Sequence, residues 1–185
     1  MQKVPTKHRI PPAKQGLDRF ISSMIFDPWL YVYHPQLLRG ISHQSFMILP
    51  NQFLYFYDFY ERQMIHYNAN IKKILGYDQE EDFSFLYHLI HPADRVMVYL
   101  FTIKSLQFGD SKYNAKPFQD TFSIDFRIKH KNGNYIRILR QTGSAAIDKL
   151  NNMVISYSLN TDISNIKTSS GIGVDYTGNT LGFIF

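Results

Sequence analysis

The chain has 185 residues, 44% hydrophobic side chains and a formal net charge of +5, a size that suits one domain with an appendage or two small domains. It has no cysteine, which excludes disulfides, thiolate metal sites and cysteinyl flavin adducts. No apolar run approaches the roughly 18 residues of a membrane span, and the N-terminus lacks the apolar core of a secretory signal. We therefore expect a cytoplasmic protein without a membrane segment.

The positive charge is concentrated at the N-terminus. Residues 1–19 hold five basic side chains and one acidic side chain, whereas the rest of the chain holds 15 basic and 14 acidic ones. A nucleic-acid-binding surface needs a basic face with aromatic or helical readers, and the body of this chain lacks that excess. The sequence thus predicts no direct DNA contact by the folded part, and residues 1–16 are interpreted as a flexible basic leader.

Residues 17–44 carry large apolar side chains, in part at helical spacing, and are predicted to form an N-terminal helical extension. Such a segment has no core of its own, so another surface must cover it. Two alternatives stay open from the sequence alone. The extension either packs on the sheet of the same chain or forms a dimer interface.

A pair of strands and a short helix follow. Gln52–Tyr60 is apolar on nearly both faces, which predicts a strand covered on both sides, and Gln63–Tyr67 is its expected partner. Asn68-Ala69-Asn70 then opens a helix, and an Asn side chain there can accept a hydrogen bond from the first free N–H groups of that helix. Gly76 occupies the position of a left-handed C-terminal cap.

Two more helices are predicted before the next strand. Asp78 and Glu81 have the spacing of a capping box. His91-Pro92-Ala93-Asp94 begins a long helix that ends near Phe108, since proline suits a first helical position. The stripe expected to lie on the sheet consists of Val96, Tyr99, Leu100, Ile103 and Leu106.

Residues 122–141 are predicted to form a β-hairpin, and the sequence favours one of two possible strand registers. A two-residue turn at Asn132-Gly133 would place Ile128 opposite Arg137. A three-residue loop with Gly133 left-handed instead places Ile128 opposite Ile136 and Phe126 opposite Ile138, which gathers apolar side chains on one face. We predict the second register, with a glycine bulge.

The remaining residues predict one more strand, a short helix and a C-terminal linker. Met153, Ile155, Tyr157 and Leu159 alternate with mostly polar residues, which indicates a last strand. Asp162–Lys167 is expected to start a short helix. Residues 168–185 are interpreted as a linker and the start of a truncated C-terminal continuation.

The complete order predicts an α+β fold with a five-stranded antiparallel sheet, helices packed on one face and an N-terminal helical extension. The motifs that carry a family resemblance are Gly76-Tyr77, His91–Arg95, Phe126–Lys129 leading to Lys131-Asn132-Gly133, and Asp162-Ile163. Together they resemble the PAS domain family with its PAC-type end motif over residues 45–167, with Ser164 in place of the usual Thr. Ser45–Tyr60 followed by Tyr67–Tyr77 also resembles the N-terminal sensory half of bacterial LuxR-type transcriptional regulators.

The resemblance implies a non-enzymatic sensor and signal-transduction module, homodimeric, from a longer bacterial regulator. Transcription would then be controlled through a helix-turn-helix domain missing from this chain, which would also make any DNA contact. Signals would pass through Asp162 and Ile163. The alternatives are a dimerisation or interaction module without ligand, and the sensor domain of a histidine kinase or cyclase.

The cavity between the long helix and the sheet is the candidate ligand site. Its predicted lining is Tyr55, Tyr57, Tyr99, Ile103, Phe126, Ile138 and Tyr157. Apolar walls with a few hydroxyls suit a small organic ligand. The alternative is a core that these side chains fill completely.

Cofactors and catalysis find no support in the sequence. His88, His91 and Asp94 would share one face of a continuous helix and could meet a metal, but Pro92 should break that helix. The resemblance implies that haem would need a His in the long helix and a flavin adduct would need a Cys, and neither is present. No nucleophile elbow or glycine-rich phosphate loop occurs, so we predict no metal, no cofactor and no catalytic residue.

Overall fold

The computed structural model describes residues 47–77, 83–108 and 116–178, together with 19, 22–23, 35–36 and 38–39. Its elements are β1 (Gln52–Asp58), β2 (Gln63–Tyr67), α1 (Asn70–Leu75), α2 (Phe83–Leu89), α3 (Arg95–Phe108), β3 (Thr121–Lys129), β4 (Tyr135–Ile147), β5 (Met153–Asp162) and β6 (Val174–Thr177). The strands form one antiparallel sheet in the order β2-β1-β5-β4-β3-β6. The predicted α+β fold is confirmed, with a sixth strand because residues 174–177 pair with β3.

The β3–β4 hairpin has the predicted register. Ile128 pairs with Ile136, and Phe126 pairs with Ile138. Gly133 has φ 95°, and its N–H donates to the carbonyl of His130 at 2.9 Å. Glycine adopts this left-handed backbone without the penalty that a Cβ brings. The loop therefore fixes which side chains of β4 face the helices.

Apolar side chains are buried on both faces of the sheet. The main core lies between the helices and the inner face, and includes Phe53, Val98 and Ile124. A smaller cluster on the outer face consists of Leu54, Phe56, Ala145, Ala146, Val154 and Ile155. Leu38 of the N-terminal region packs against this outer cluster. Contact at that residue favours the alternative in which the extension covers the sheet of its own chain.

Helix α1 ends as predicted but begins differently. Gly76 has φ 79°, and its N–H donates to Lys72 O at 2.9 Å. The N-cap is Ala69, with no side-chain cap, so the expected Asn cap is wrong. Asn70 Nδ2 instead donates to the carbonyls of Leu49 and Gln52 at 3.1 and 2.9 Å, which ties the helix to the start of β1. The predicted capping box of Asp78 and Glu81 lies outside the described residues.

Helix α3 turns only part of the predicted stripe to the core: Tyr99 and Leu106 are buried and Ile103 is partly buried. Val98, Tyr99, Phe101, Thr102, Ser105, Leu106 and Phe108 are buried. Val96 and Leu100, which were expected to lie on the sheet, are 61% and 51% exposed. The helix is apolar nearly all round, so periodicity alone did not select the buried side. Thr102 and Ser105 tolerate burial because their hydroxyls donate to the carbonyls of Val98 and Thr102.

Strand β5 also presents an unexpected face to the helices. Ser156, Ser158 and Asn160 lie towards the interior, whereas Tyr157 and Leu159 pack against the outer cluster. Apolar clusters lie on both faces of the sheet, so the side chains of β5 are buried or partly buried on either face. Apolar alternation therefore does not identify the inner side there. The interior gains a row of polar side chains as a result.

Candidate functional site

Arg140 is the centre of the interior site. It continues the inward face of β4 that begins with Ile136 and Ile138, and it pairs with Ile124 of β3. The residue is only 4% exposed. Its guanidinium carbon lies 5.5 Å from the centroid of the Phe126 ring, a cation–π distance. The hairpin register thus carries a cation into the main core.

Neutral hydroxyl groups surround this guanidinium. Arg140 Nη1 donates to Tyr87 Oη at 3.2 Å, and Nη2 donates to Thr102 Oγ1 at 2.7 Å. Thr102 gives its only proton to Val98 O at 2.8 Å, so Tyr87 must donate in its 2.9 Å contact with Thr102. Tyr55 is a further hydroxyl partner of Arg140 and also forms a hydrogen bond with Ser158. The groups that accept hydrogen bonds from the guanidinium are therefore all neutral hydroxyl oxygens.

The charge of Arg140 has no counterion in the part of the chain that the structure describes. The three ion pairs there involve Asp94 and Asp125, both of which lie elsewhere. Burial raises the pKa of Tyr55 even against the opposing charge of Arg140, so this phenol stays neutral. Burial lowers the pKa of Arg140, but the tyrosine oxygens of Tyr87 and Tyr55 outweigh that and hold it above its usual value.

One hydrogen-bond donor of Arg140 is unused. Nε is buried and has no hydrogen-bond partner among the described residues. A buried N–H without an acceptor costs about 1–3 kcal/mol, and more when the group is charged. Most buried polar atoms in native proteins are satisfied, so such an atom points to a missing partner.

Two small cavities flank the guanidinium. The first has a volume of about 30 Å³ and is bounded by Tyr55, Tyr57, Phe59, Tyr87, Thr102, Ser105, Leu106, Arg140, Thr142, Ser156 and Ser158. The second has a volume of about 20 Å³ and is bounded by Phe53, Tyr55, Leu86, Tyr87, Ile90, Phe126, Ile128, Ile138, Arg140 and Asn160. Each has room for about one or two water molecules. The site is therefore a nearly filled core with a polar centre.

Four of the seven predicted lining residues bound these cavities: Tyr55 and Tyr57 at the first, and Tyr55, Phe126 and Ile138 at the second. Tyr99 lies in the core, stacked on Tyr87 at 5.1 Å between ring centroids. Ile103 packs, partly buried, against the same core.

The placement predicted for Tyr157 is wrong. Its ring lies on the outer face, and its hydroxyl is 2.8 Å from Thr121 Oγ1. An inward-facing apolar side of β5 would have placed Tyr157 at the cavity. The inner face of that strand carries serines instead, and Ser156 and Ser158 bound the first cavity together with Tyr57 and Arg140.

The three residues with metal-ligand spacing diverge. Helix α2 ends at Leu89 and α3 begins at Arg95, which is the break expected at Pro92. His91 Nδ1 accepts from Ala93 N at 3.2 Å. Asp94 turns to β3, where it accepts from the backbone N and from Nε and Nη2 of Arg127 at 2.9, 3.0 and 2.5 Å. Asp94 thus fixes the start of α3 on the sheet.

A second polar cluster lies on the outer face and holds the exit segment, defined as residues 164–173. Buried Asp125 of β3 accepts from Arg137 Nε at 2.6 Å and from Lys167 Nζ and Gly173 N, both at 2.8 Å. Arg137 also donates to the carbonyls of Ser170 and Gly171. Burial raises the pKa of Asp125, but the hydrogen bonds from Lys167 and Arg137 lower it by more than burial raises it. The pKa of Asp125 therefore lies below its usual value.

The predicted transmission residues, Asp162 and Ile163, directly precede this exit segment. Asp162 Oδ1 accepts from both N and Oγ of Ser164, at 2.9 and 2.6 Å. Ser164 Oγ in turn accepts from Arg137 N at 2.9 Å, and Ile163 N donates to Arg137 O at 2.8 Å. Residues 164–166 form a single turn where a short helix was expected. The backbone N–H and carbonyl of Arg137 thus hold the start of the exit segment, and its guanidinium holds the later part.

Sequence reasoning missed Arg140 and Asp125. The register that predicted Ile136 and Ile138 on the inner face also implies an inward Arg140, so that signal was present. Asp125 has partners more than 40 residues away in the sequence, at Lys167 and Gly173. A local sequence pattern cannot predict such a pairing, because the partners are far apart along the chain.

This arrangement, a sheet with helices on one face, a small interior site and a pinned exit, defines a sensor-type α+β domain. The PAS fold family matches residues 64–157, half of the chain, and the chain belongs to that family. A comparison with curated proteins found no match. No helix in the described parts of the chain is long and apolar enough to cross a membrane.

Solved structures share the fold at low sequence identity. The N-terminal domain of a diguanylate cyclase with PAS/PAC sensor from Marinobacter aquaeolei is 19% identical, with a TM-score of 0.52 over 62% of this chain and 96% of that one. A Rhodobacter sphaeroides LOV protein is 11% identical, with a TM-score of 0.50 over 73% and 69%. An RNA-binding Light-Oxygen-Voltage receptor is 10% identical, with a TM-score of 0.50 over 65% and 32%. These likenesses concern the fold.

Proposed function

We propose that this PAS domain is the cytoplasmic, non-enzymatic sensor of a longer bacterial regulator, and that its state is read through the exit segment. The observation that carries the proposal is the position of β4. Arg140 of this strand faces the interior site, while Arg137, three residues earlier, holds the exit segment on the other face. Three residues of a strand span about 10 Å.

The proposed mechanism is a two-state one. A change in packing around Arg140 shifts β4, and Arg137 then releases or retains the exit segment. Asp162 and Ile163 transmit the change, because their bonds to Ser164 and Arg137 join the end of β5 to β4. A signal can bias such an equilibrium only by its different affinity for the two states.

The output that we propose is transcriptional control through a helix-turn-helix domain of the LuxR type, which would follow these residues and make any DNA contact. The alternative output is a cyclase or a histidine kinase, and the cyclase is favoured by the Marinobacter neighbour, which is the N-terminal domain of a diguanylate cyclase with PAS/PAC sensor. Translation of the reading frame beyond Phe185 tests this directly. A helix-turn-helix sequence is expected, and a kinase or cyclase domain would contradict the transcriptional output.

The sensor mechanism has its own test. Hydrogen exchange of the exit segment is compared between the wild type and Arg140→Met, with Lys104→Met as the control, since Lys104 is an exposed residue of α3 with the same charge. We expect faster exchange of residues 164–173 in Arg140→Met alone. Unchanged exchange in a folded Arg140→Met protein would contradict the proposal.

A second candidate function, a homodimeric interaction module, is favoured by an apolar patch on α3. Val96, Met97 and Leu100 are 61%, 50% and 51% exposed. Side chains four apart share one helix face, so Val96 and Leu100 form a continuous surface. If this face joins two copies, Val96→Lys with Leu100→Lys gives monomers in sedimentation, whereas Gln107→Lys at an exposed position leaves the dimer intact. A wild type that sediments as a monomer would remove this candidate.

A further inference from the structure

The interior site has the features of a receptor for an anion. Arg140 is buried, charged and without a counterion among the described residues. An unpaired cation in a protein interior costs several kcal/mol, so chains normally supply a carboxylate beside it. Here Tyr55, Tyr87 and Thr102 supply only neutral oxygens. The site is therefore short of one negative charge.

The shape of the site limits what can supply that charge. Cavities of about 30 and 20 Å³ adjoin the guanidinium, and both are bounded by Tyr55 and Tyr87. The planar fork of an arginine matches the two oxygens of a carboxylate, and Nε is the donor that lacks an acceptor. Ser156 and Ser158 offer hydroxyls on one side, and Phe126 offers an apolar wall on the other.

We propose that the interior site binds a small monocarboxylate, of the size of formate or acetate, with its carboxylate on Nε of Arg140. This inference rests on the proposed function, because it names the chemical class of the signal that the sensor detects. A divalent anion such as inorganic phosphate fits less well, since one guanidinium balances one charge. A bulky aromatic acid does not fit the cavity volume.

The test is a thermal unfolding series at fixed pH and ionic strength. Sodium formate or acetate replaces sodium chloride, with sodium phosphate and sodium benzoate as further probes. At ten times its Kd, a ligand raises the Tm of a domain of this size by about 3–5 °C. We expect that shift with formate or acetate, none with benzoate, and loss of the shift in Arg140→Met but not in Lys104→Met.

Arg140→Met removes a central core residue and can unfold the domain, so the wild type also needs a direct measurement. Saturation transfer from the protein to the methyl group of acetate, with displacement by formate and not by chloride, supports the site. Arg140→Lys keeps the charge and loses the fork, and it should weaken binding about tenfold or more. Equal Tm in all the salts together with no saturation transfer overturns the inference.

The two proposals fail differently. If acetate binds through Arg140 but leaves hydrogen exchange of residues 164–173 unchanged, the ligand inference stands and the sensor mechanism fails. If no carboxylate binds but Arg140→Met still accelerates exchange of the exit segment, the sensor mechanism stands and the ligand class is wrong.

Discussion

Asp125→Asn is the substitution that most directly tests how the exit segment is held. The change keeps the shape of the side chain and removes its charge. In the wild type, Asp125 pairs with Arg137 and Lys167, and the side chains of Asp125, Arg137 and Lys167 are 8%, 4% and 29% exposed. The amide leaves Arg137 as a buried cation whose remaining acceptors are the carbonyls of Ser170 and Gly171.

The magnitude follows from the burial of each pair. Breaking a fully buried pair costs about 3–5 kcal/mol, because one charge stays behind. The amide oxygen still accepts a hydrogen bond from Arg137, which recovers about 1 kcal/mol. The pair with Lys167 is partly exposed and contributes less than about 1 kcal/mol. We expect the free energy of unfolding to fall by about 2–4 kcal/mol, of which 3 kcal/mol corresponds to roughly 6–12 °C in Tm.

Urea denaturation gives the global change, and hydrogen exchange of residues 164–177 gives the local one. Asp175→Asn is the matched control, since Asp175 lies in β6 and is exposed, and a surface change of this kind stays within about 0.5 kcal/mol. If Asp125→Asn unfolds within 0.5 kcal/mol of the wild type and the exit segment keeps its protection, the exit segment is not held by Asp125.

Three other outcomes follow from the same contacts. Asp94→Asn should lower the free energy of unfolding by about 1.5–3 kcal/mol in urea, because Arg127 is partly exposed and loses a carboxylate partner. Bonds from Arg127 hold the pKa of Asp94 below its usual value against burial, which raises it. Its stabilisation is thus full above the unfolded pKa and lost as pH falls, so wild type and Asp94→Asn should converge from about pH 5 to pH 2, and a constant gap would contradict this. Gly173→Ala places a Cβ 2.5 Å from Asp125 Oδ2, so exchange of the exit segment should accelerate at a cost of about 1–3 kcal/mol, unlike Gly171→Ala, whose Cβ meets nothing within 4 Å.

The sequence determined the fold where local chemistry was decisive. The Lys131-Asn132-Gly133 loop sets the β3–β4 register, because only a glycine takes φ 95° without strain. Gly76 ended α1 for the same reason. Burial of both faces of β1 was readable because the strand is apolar on both sides. Each of these features depends on a few neighbouring residues.

Prediction failed where a pattern was apolar on several sides. Helix α3 has Val96, Met97, Val98, Tyr99, Leu100 and Phe101 in succession, so period 3.6 cannot choose a face. The choice was made by long-range partners, since Thr102 faces inwards to accept from Arg140. Strand β5 misled in the same way, because its side chains are buried or partly buried on both faces. Sheet order was needed before its alternation could be interpreted.

The candidate site lies between these two cases. An arginine two residues beyond Ile138 must face the same way as Ile138, so the predicted register already implied a buried Arg140. The predicted inward face was followed only as far as Ile138. Once the register is accepted, β4 is a strand with a cation on each face, and their partners differ in kind. Asp125 neutralises the outer Arg137, whereas the polar partners of the inner Arg140 among the described residues are hydroxyls, with an aromatic ring beside them. That asymmetry is the reason that we propose a ligand at the inner arginine, whereas the outer cluster fastens the exit segment.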